Sequence, residues 1–320
     1  MTILKKRFQI ATALLSLFFA YCSAQQNPIV DYNDVQRIIK TLAADDMQGR
    51  KIYTPGIEKA ATFIENEFKS VGLQPLDGET GLRINFTRPN DTRLLFNVAG
   101  MIPGKSKPKE VVIFSAHYDH VGIVKPLEGD SIANGADDDA SGVTAVISLA
   151  KYYKQQNNNE RTLIFVTFTG EESGGFGSRN FSQKLNPDDV VAMFNIEMIG
   201  KDSKFGKNSA FITGFERSDF GPILQRNLEG SEFTFYPDPY PAQNLFYRSD
   251  NATLAALGVP AHSISTDQIN TDKFYHTVND EFETLDVNNI VATIKALAIG
   301  SRSIVAGKDT PTRIPKLKKP

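Results

Sequence analysis

An α/β fold is predicted for this chain: three layers, with a mixed, mostly parallel β-sheet covered by helices on both faces. Three features predict it. The strand candidates are continuous apolar runs, as expected of strands buried on both faces. They alternate along the chain with segments of helical periodicity. Dense polar clusters follow the runs, and ligand and catalytic groups of open α/β sheets gather at the carboxyl ends of strands.

The elements follow in order. "GIEKAATFIENEFKSVG" places Ile57, Ala60, Ala61, Phe63, Ile64 and Phe68 on one helical face, with Gly72 as the stop. "VVIFSA" at 111–116 is a short apolar strand, and "SGVTAVISLAKYYKQQ" is a helix starting near Ser141. The strands "TLIFVTF", "VVAMFNIEM" and "AFIT" come next, then a helix near 250–257 and the strand "VPAHSIST". "VNNIVATIKALAIGSRSIV" reads as one closing helix. No internal repeat or low-complexity linker interrupts the pattern, so one compact domain is expected over 25–307.

The first 24 residues do not belong to that domain. Lys5, Lys6 and Arg7 precede the apolar run "QIATALLSLFFAY", and "CSA" supplies small residues for cleavage after Ala24. This is the pattern of a secretory signal, with an apolar run too short to span a bilayer. The expected location is periplasmic or extracellular. Tyr21 is too bulky for lipoprotein processing at Cys22, which argues against a lipid anchor. Cys22 is the only cysteine, so the exported form has no disulfide and must rely on its core and on metal. Cleavage removes three basic residues and no acidic one, moving the net charge from −2 to −5. That balance argues against general affinity for nucleic acid or an anionic membrane. Residues 308–320 form a basic, proline-rich tail, read as a solvated, frayed end.

"TLIFVTF" ends in "TGEESGGFGS", two adjacent carboxylates followed by glycines. "VVIFSA" ends in "HYDH", "VVAMFNI" in "EMIG", and "VPAHSIST" leads toward "FYHTVND". The chain has four histidines, His117, His120, His262 and His276, and two of these clusters carry three of them. Taken alone, "ADDD" fits a loop with a helix N-cap and "HYDH" fits a turn. Histidines and carboxylates converging on one sheet edge suit Zn²⁺ or a related divalent ion, and a bridging carboxylate would explain the density of acids.

These motifs resemble the M28 family of secreted zinc exopeptidases, the co-catalytic di-zinc aminopeptidases. The resemblance begins at "LAADDMQGRKIYTPGIEKAATFIENEFKSVGLQP" and continues through "SAHYDHVG", "NGADDDASG", "TGEESGGFGS", "NIEMIG", "FYRSDNATLAALGVPA" and "FYHTVNDEFETL", covering about 42–290. It implies a zinc-exopeptidase-like domain that removes N-terminal residues from peptide substrates. It implies two zinc ions per chain, one held by His117 and Glu197, the other by Glu172 and His276, with Asp138 bridging. Asp119 would orient His117, Glu171 would be the general base, and Tyr275 would hydrogen-bond the oxyanion. The glycines after the Glu-Glu pair would let the chain turn and keep the cleft open.

Arg248 and Asp250 would lie beside the cleft, Asp250 in a structural role. Phe205, Phe211, Phe215 and Phe246 fall in the stretch that shapes the substrate pocket, which leans toward apolar N-terminal residues; each also fits the core. Glu197 departs from the family pattern, where many members have Asp, and is longer by about 1.5 Å. Two other readings share the scaffold. A glutaminyl cyclase uses one zinc and lines its pocket with tryptophans, of which this chain has none. A peptidase-like binding module would have lost its metals, whereas the full ligand set is present here.

Overall fold

The computed structural model describes residues 30–317, so the signal segment and Cys22 lie outside the described residues. The helices are α1 (Tyr32–Leu42), α2 (Pro55–Val71), α3 (Gly142–Gln156), α4 (Phe176–Gln183), α5 (Phe220–Asn227), α6 (Asn251–Ala256), α7 (Val287–Gly300) and α8 (Arg302–Val305). The strands are β1 (Arg83–Thr87), β2 (Leu94–Ile102), β3 (Lys107–His117), β4 (Gly122–Leu127), β5 (Asp130–Ala133), β6 (Arg161–Phe168), β7 (Val190–Ile196), β8 (Ser209–Ile212), β9 (Thr234–Pro237) and β10 (Ala261–Ser265). Eight of them form one sheet in the order β1-β2-β6-β3-β7-β10-β8-β9, and β4 pairs with β5 in a separate hairpin. The central four, β6, β3, β7 and β10, run parallel to one another, while β2 and β8 meet this block antiparallel.

Both faces are covered, which is why β6 and β7 are buried along their whole length. Even-numbered β3 residues, Val112 and Phe114, join the core beneath α1, α2, α3, α5 and α7. Phe114 stacks there on Phe194 and Phe165, with ring centroids 4.9 and 5.5 Å apart. Ile113 instead packs with Ile164, Met193, Phe181 of α4 and Leu254 of α6 on the opposite face. Among the described residues no helix is long and apolar enough to cross a membrane.

The anticipated strands and helices are present, with differences. Strand β3 starts four residues before "VVIFSA". The closing segment is two helices rather than one, because the Ser301 hydroxyl donates to Leu297 O and bonds the Tyr153 hydroxyl at the break. The tail is not frayed over 308–317. Pro311 and Ile314 are buried, Arg313 donates to Val190 O (2.7 Å), and Ile314 and Leu317 donate to Gly258 O and Ala256 O. Fully buried Arg161 anchors its start, donating to Ile304 O (2.7 Å) and Thr310 Oγ1 (2.6 Å). A basic composition hid one apolar anchor and a supply of main-chain acceptors.

Candidate metal centre

Register brings the centre together. Ser115 of β3 pairs with Asn195 of β7, so His117 and Glu197 each stand one pleat further on, side by side on one face. His117 Nε2 lies 3.2 Å from Glu197 Oε1 and 3.2 Å from Asp138 Oδ1. The other oxygen, Asp138 Oδ2, lies 3.2 Å from His276 Nε2, which in turn is 3.0 Å from Glu172 Oε2. Asp138 therefore stands between a His117–Glu197 pair and a His276–Glu172 pair. His120, left without a role in the sequence reading, is an additional imidazole at the second pair. Its Nδ1 lies 3.0 Å from Glu172 Oε1 and 3.6 Å from Asp138 Oδ2.

The three aspartates of "ADDD" do different work, so the capping and ligand readings describe different residues. Asp139 accepts the main-chain N–H of His117 (3.2 Å) and Met198 (3.1 Å) and that of Gly142 (3.1 Å) at the start of α3. It ties two strand ends to one helix N-terminus. Gly142 must lack a side chain, because a Cβ there would stand 2.4 Å from both Asp139 Oδ1 and Ile196 O. Asp137 accepts from Gly200 N (2.7 Å), and Asp280 holds the turn from outside by accepting from Asp137 N and Asp138 N. Asp139 also lies near His117 and Glu197, but its oxygens are already engaged by those N–H groups. Of the three aspartates, only Asp138 has both carboxylate oxygens among the histidines.

Asp119 meets His117 through its main chain rather than its side chain. His117 Nδ1 faces the main-chain oxygen of Asp119 at 3.0 Å, while the carboxylate is 3.9 Å away. That carboxylate instead accepts the N–H of Glu171 (3.1 Å) and so fixes the "TGEES" turn. The turn needs its glycines: Gly174 has φ +116, a conformation side chains rarely adopt. Glu197 is steadied by Ser249, whose hydroxyl donates to Oε2 at 2.6 Å. Asn195 donates to Ser249 (2.8 Å) and to Ser263 (3.0 Å), and Ser263 donates to Asn251. This buried polar row under the centre was not legible as a motif; its members are spread over three segments.

A buried cation lies behind the acids. Arg50 is fully buried and donates to the main-chain oxygens of Tyr118, Leu42, Asn134 and Gly135 at 2.5–2.9 Å, with no carboxylate partner. It laces the "HYDH" loop to the "NGADDD" loop and places a positive charge near Asp138, Asp280, Asp119 and Asp139.

The electrostatics match a site built for cations. Burial disfavours charge on Asp138, yet His120, His117 and His276 hold its carboxyl well below the usual range. Burial alone would lower His276, but the Asp138 and Glu172 carboxylates beside its Nε2 raise it to about 10. Carboxylates crowd His117 and His276 and raise both, so a metal entering this space must displace protons from these two histidines. His120, Asp138 and Glu172 bring three donor atoms within 4.8 Å of one another, as do His117, Glu197 and the already engaged Asp139. Asp138 Oδ2 and His276 Nε2 are buried without a hydrogen-bond partner. Nitrogen and carboxylate donors in two sets with a shared aspartate fit two zinc ions.

A cleft with a cavity of about 80 Å³ opens on this centre, and Glu171, Tyr275, Arg248 and Phe211 line it. Tyr275 stacks on His276, with centroids 3.9 Å apart. Asp250 is buried at the start of α6 and does not line the cleft. Phe246 and Phe215 pack in or against the core, and Phe205 stacks on Tyr236 near the sheet edge.

The model of peptidase family M28 matches residues 97–299. A probable leucine aminopeptidase of Trichophyton verrucosum is 29% identical over 295 residues, covering 86% of this chain and 72% of that protein. The structure of a zinc aminopeptidase from Bacillus subtilis superposes with a TM-score of 0.69 at 14% identity, over 92% of this chain and all of that one. A Bacteroides thetaiotaomicron glutaminyl cyclase reaches 0.64 at 16% identity, over 89% of this chain and all of that one. The chain belongs to peptidase family M28. It is a zinc-dependent metallopeptidase.

Proposed function

We propose that this protein is an exported aminopeptidase in which His117 and Glu197 hold one zinc ion, Glu172 and His276 the other, and Asp138 both. When bound, the metal pair supplies a water activated at neutral pH and polarises the scissile carbonyl. Glu171 is the general base: it accepts the attacking water's proton on its carboxylate and delivers it to the leaving amine. Before metal is bound, burial with the charges of Glu197, Asp250 and Glu172 raises its pKa well above that of an ordinary glutamate. Asp119 positions Glu171 through the main-chain bond described above, and Tyr275 donates its hydroxyl to the oxyanion.

The observation that carries this reading is Asp138, with one oxygen on His117 and the other on His276. The relatives named leucine aminopeptidases support removal of the N-terminal residue, and the basic and apolar segments of residues 1–24 support export to the periplasm or outside. The cyclase reading has only the shared fold in its favour. The test compares free and N-acetylated leucyl peptides with zinc present. Cleavage confined to the free amine is expected; equal cleavage of both would refute the aminopeptidase direction.

A further inference from the structure

The cleft has a second chemical feature beyond the centre. Met198, Phe211, Leu245 and Ile269 line it with apolar surface, and Asp267 is the one carboxylate in its lining outside the metal centre. Strand β10 places Asp267. Ser263 pairs with Asn195, and the ladder continues past both strand ends through Glu197 N to Ile264 O and Thr266 N to Met198 O. Asp267 therefore stands one pleat beyond the level of Glu197 and one strand across, about 8 Å away between Cα atoms. That matches the reach of a long, unbranched side chain whose own α-carbon sits beside the centre.

Asp267 is 4% exposed, its N–H donates to Ser265 Oγ, and its Oδ1 has no hydrogen-bond partner. Such an oxygen in a native interior calls for a donor. Behind it, Asp267, Asp272 and Asp137 each bring an oxygen within 4.8 Å of the others. Lys201 reaches Asp272 Oδ2 at 2.8 Å and Asp137 Oδ2 at 3.3 Å. Lys201 thus pairs with Asp272 and Asp137 and leaves Asp267 without an ion-pair partner. Arg248 also lines the cleft, but it is exposed and donates to Gln243 at 3.3 Å.

We propose that Asp267 is the specificity determinant of this cleft and that it selects an N-terminal lysine, whose methylene stem lies along the apolar walls and whose ammonium bonds the free Oδ1. Burial, with Asp137 and Asp272, pushes the Asp267 carboxyl up to about 8, so a proton fills the place of the missing cation until the substrate brings its own. The inference rests on the aminopeptidase reading.

The experiment measures kcat/KM for the 4-nitroanilides of lysine, norleucine and leucine on the zinc enzyme and on Asp267→Asn. Norleucine has the lysine stem without the ammonium. Lysine should exceed norleucine by about tenfold or more in the wild type, and the ratio should fall to about one or below in the variant. Equal or better turnover of norleucine by the wild type would overturn the proposal, as would a lysine preference that Asp267→Asn leaves intact. Inhibition of the wild type by lysinamide against norleucinamide reads the same preference without a variant; equal inhibition would count against it. Turnover of leucine without a lysine preference refutes only the role of Asp267. No turnover of any of the three removes the aminopeptidase reading and this inference with it.

Discussion

Replacing Arg50 by methionine tests what holds the acidic centre in place. The substitution keeps much of the bulk and removes a buried fork with four main-chain contacts at 2.9 Å or less. Buried acceptors left unpaired cost about 1–3 kcal/mol each, but the loops relax and some admit water. The charge lost stood among Asp138, Asp280, Asp119 and Asp139. With four main-chain acceptors orphaned and part of that cost recovered, a loss of about 3–5 kcal/mol is expected here. At roughly 2–4 °C per kcal/mol for a domain of this size, melting should fall by about 6–20 °C. Arg50→Lys keeps the charge with three donors on one nitrogen, and should recover no more than about half. Urea and thermal unfolding followed by circular dichroism give the stability. Zinc titration gives a second readout, expected to weaken about 10–100-fold because both loops carry donors of the centre. A loss under about 1 kcal/mol with unchanged zinc affinity would show that Arg50 merely fills space and that the loops hold themselves.

Three further outcomes are expected. Glu171→Gln should lower kcat by about 10²–10⁴-fold while zinc content stays at two per chain; Glu172→Gln should instead lose metal and stability, and metal analysis of both variants would expose reversed roles. Zinc affinity should fall as pH falls, because His276, held up to about 10, must shed its proton to bind; a pH-independent titration by calorimetry would contradict this. Burial lowers His262 to about 4 despite its bond to Thr213 O. Its folded pKa lies below the unfolded value of about 6.5, so the unfolded chain takes up the extra proton and stability falls between pH 6.5 and 4. The wild type should lose about 3 kcal/mol more than His262→Gln across that window in urea titrations.

The sequence by itself determined the layered α/β class, the order of the main strands and helices, and the residue types for a two-metal centre. It could do so because strands buried on both faces are continuous apolar runs, and because His, Asp and Glu at their carboxyl ends have few other reasons to gather. Glu171 and Glu172, His117 and Glu197 were visible as motifs because each lies beside such a run. Tertiary structure decided the rest. Which aspartate of "ADDD" faces the histidines depends on a turn whose neighbours are spent on Gly142, Met198, Gly200 and His117. Arg50 carries no local pattern that separates it from a surface arginine, since its partners are main-chain oxygens up to 88 residues away. Asp119 meets His117 through its backbone, which no side-chain motif encodes. Asp267 comes close to Asp137 only when the packed sheet brings the end of β10 beside the "ADDD" turn. Local periodicity reports what a segment buries, while charge partners and cleft walls are set by contacts distant in sequence, and only the packed sheet brings those together.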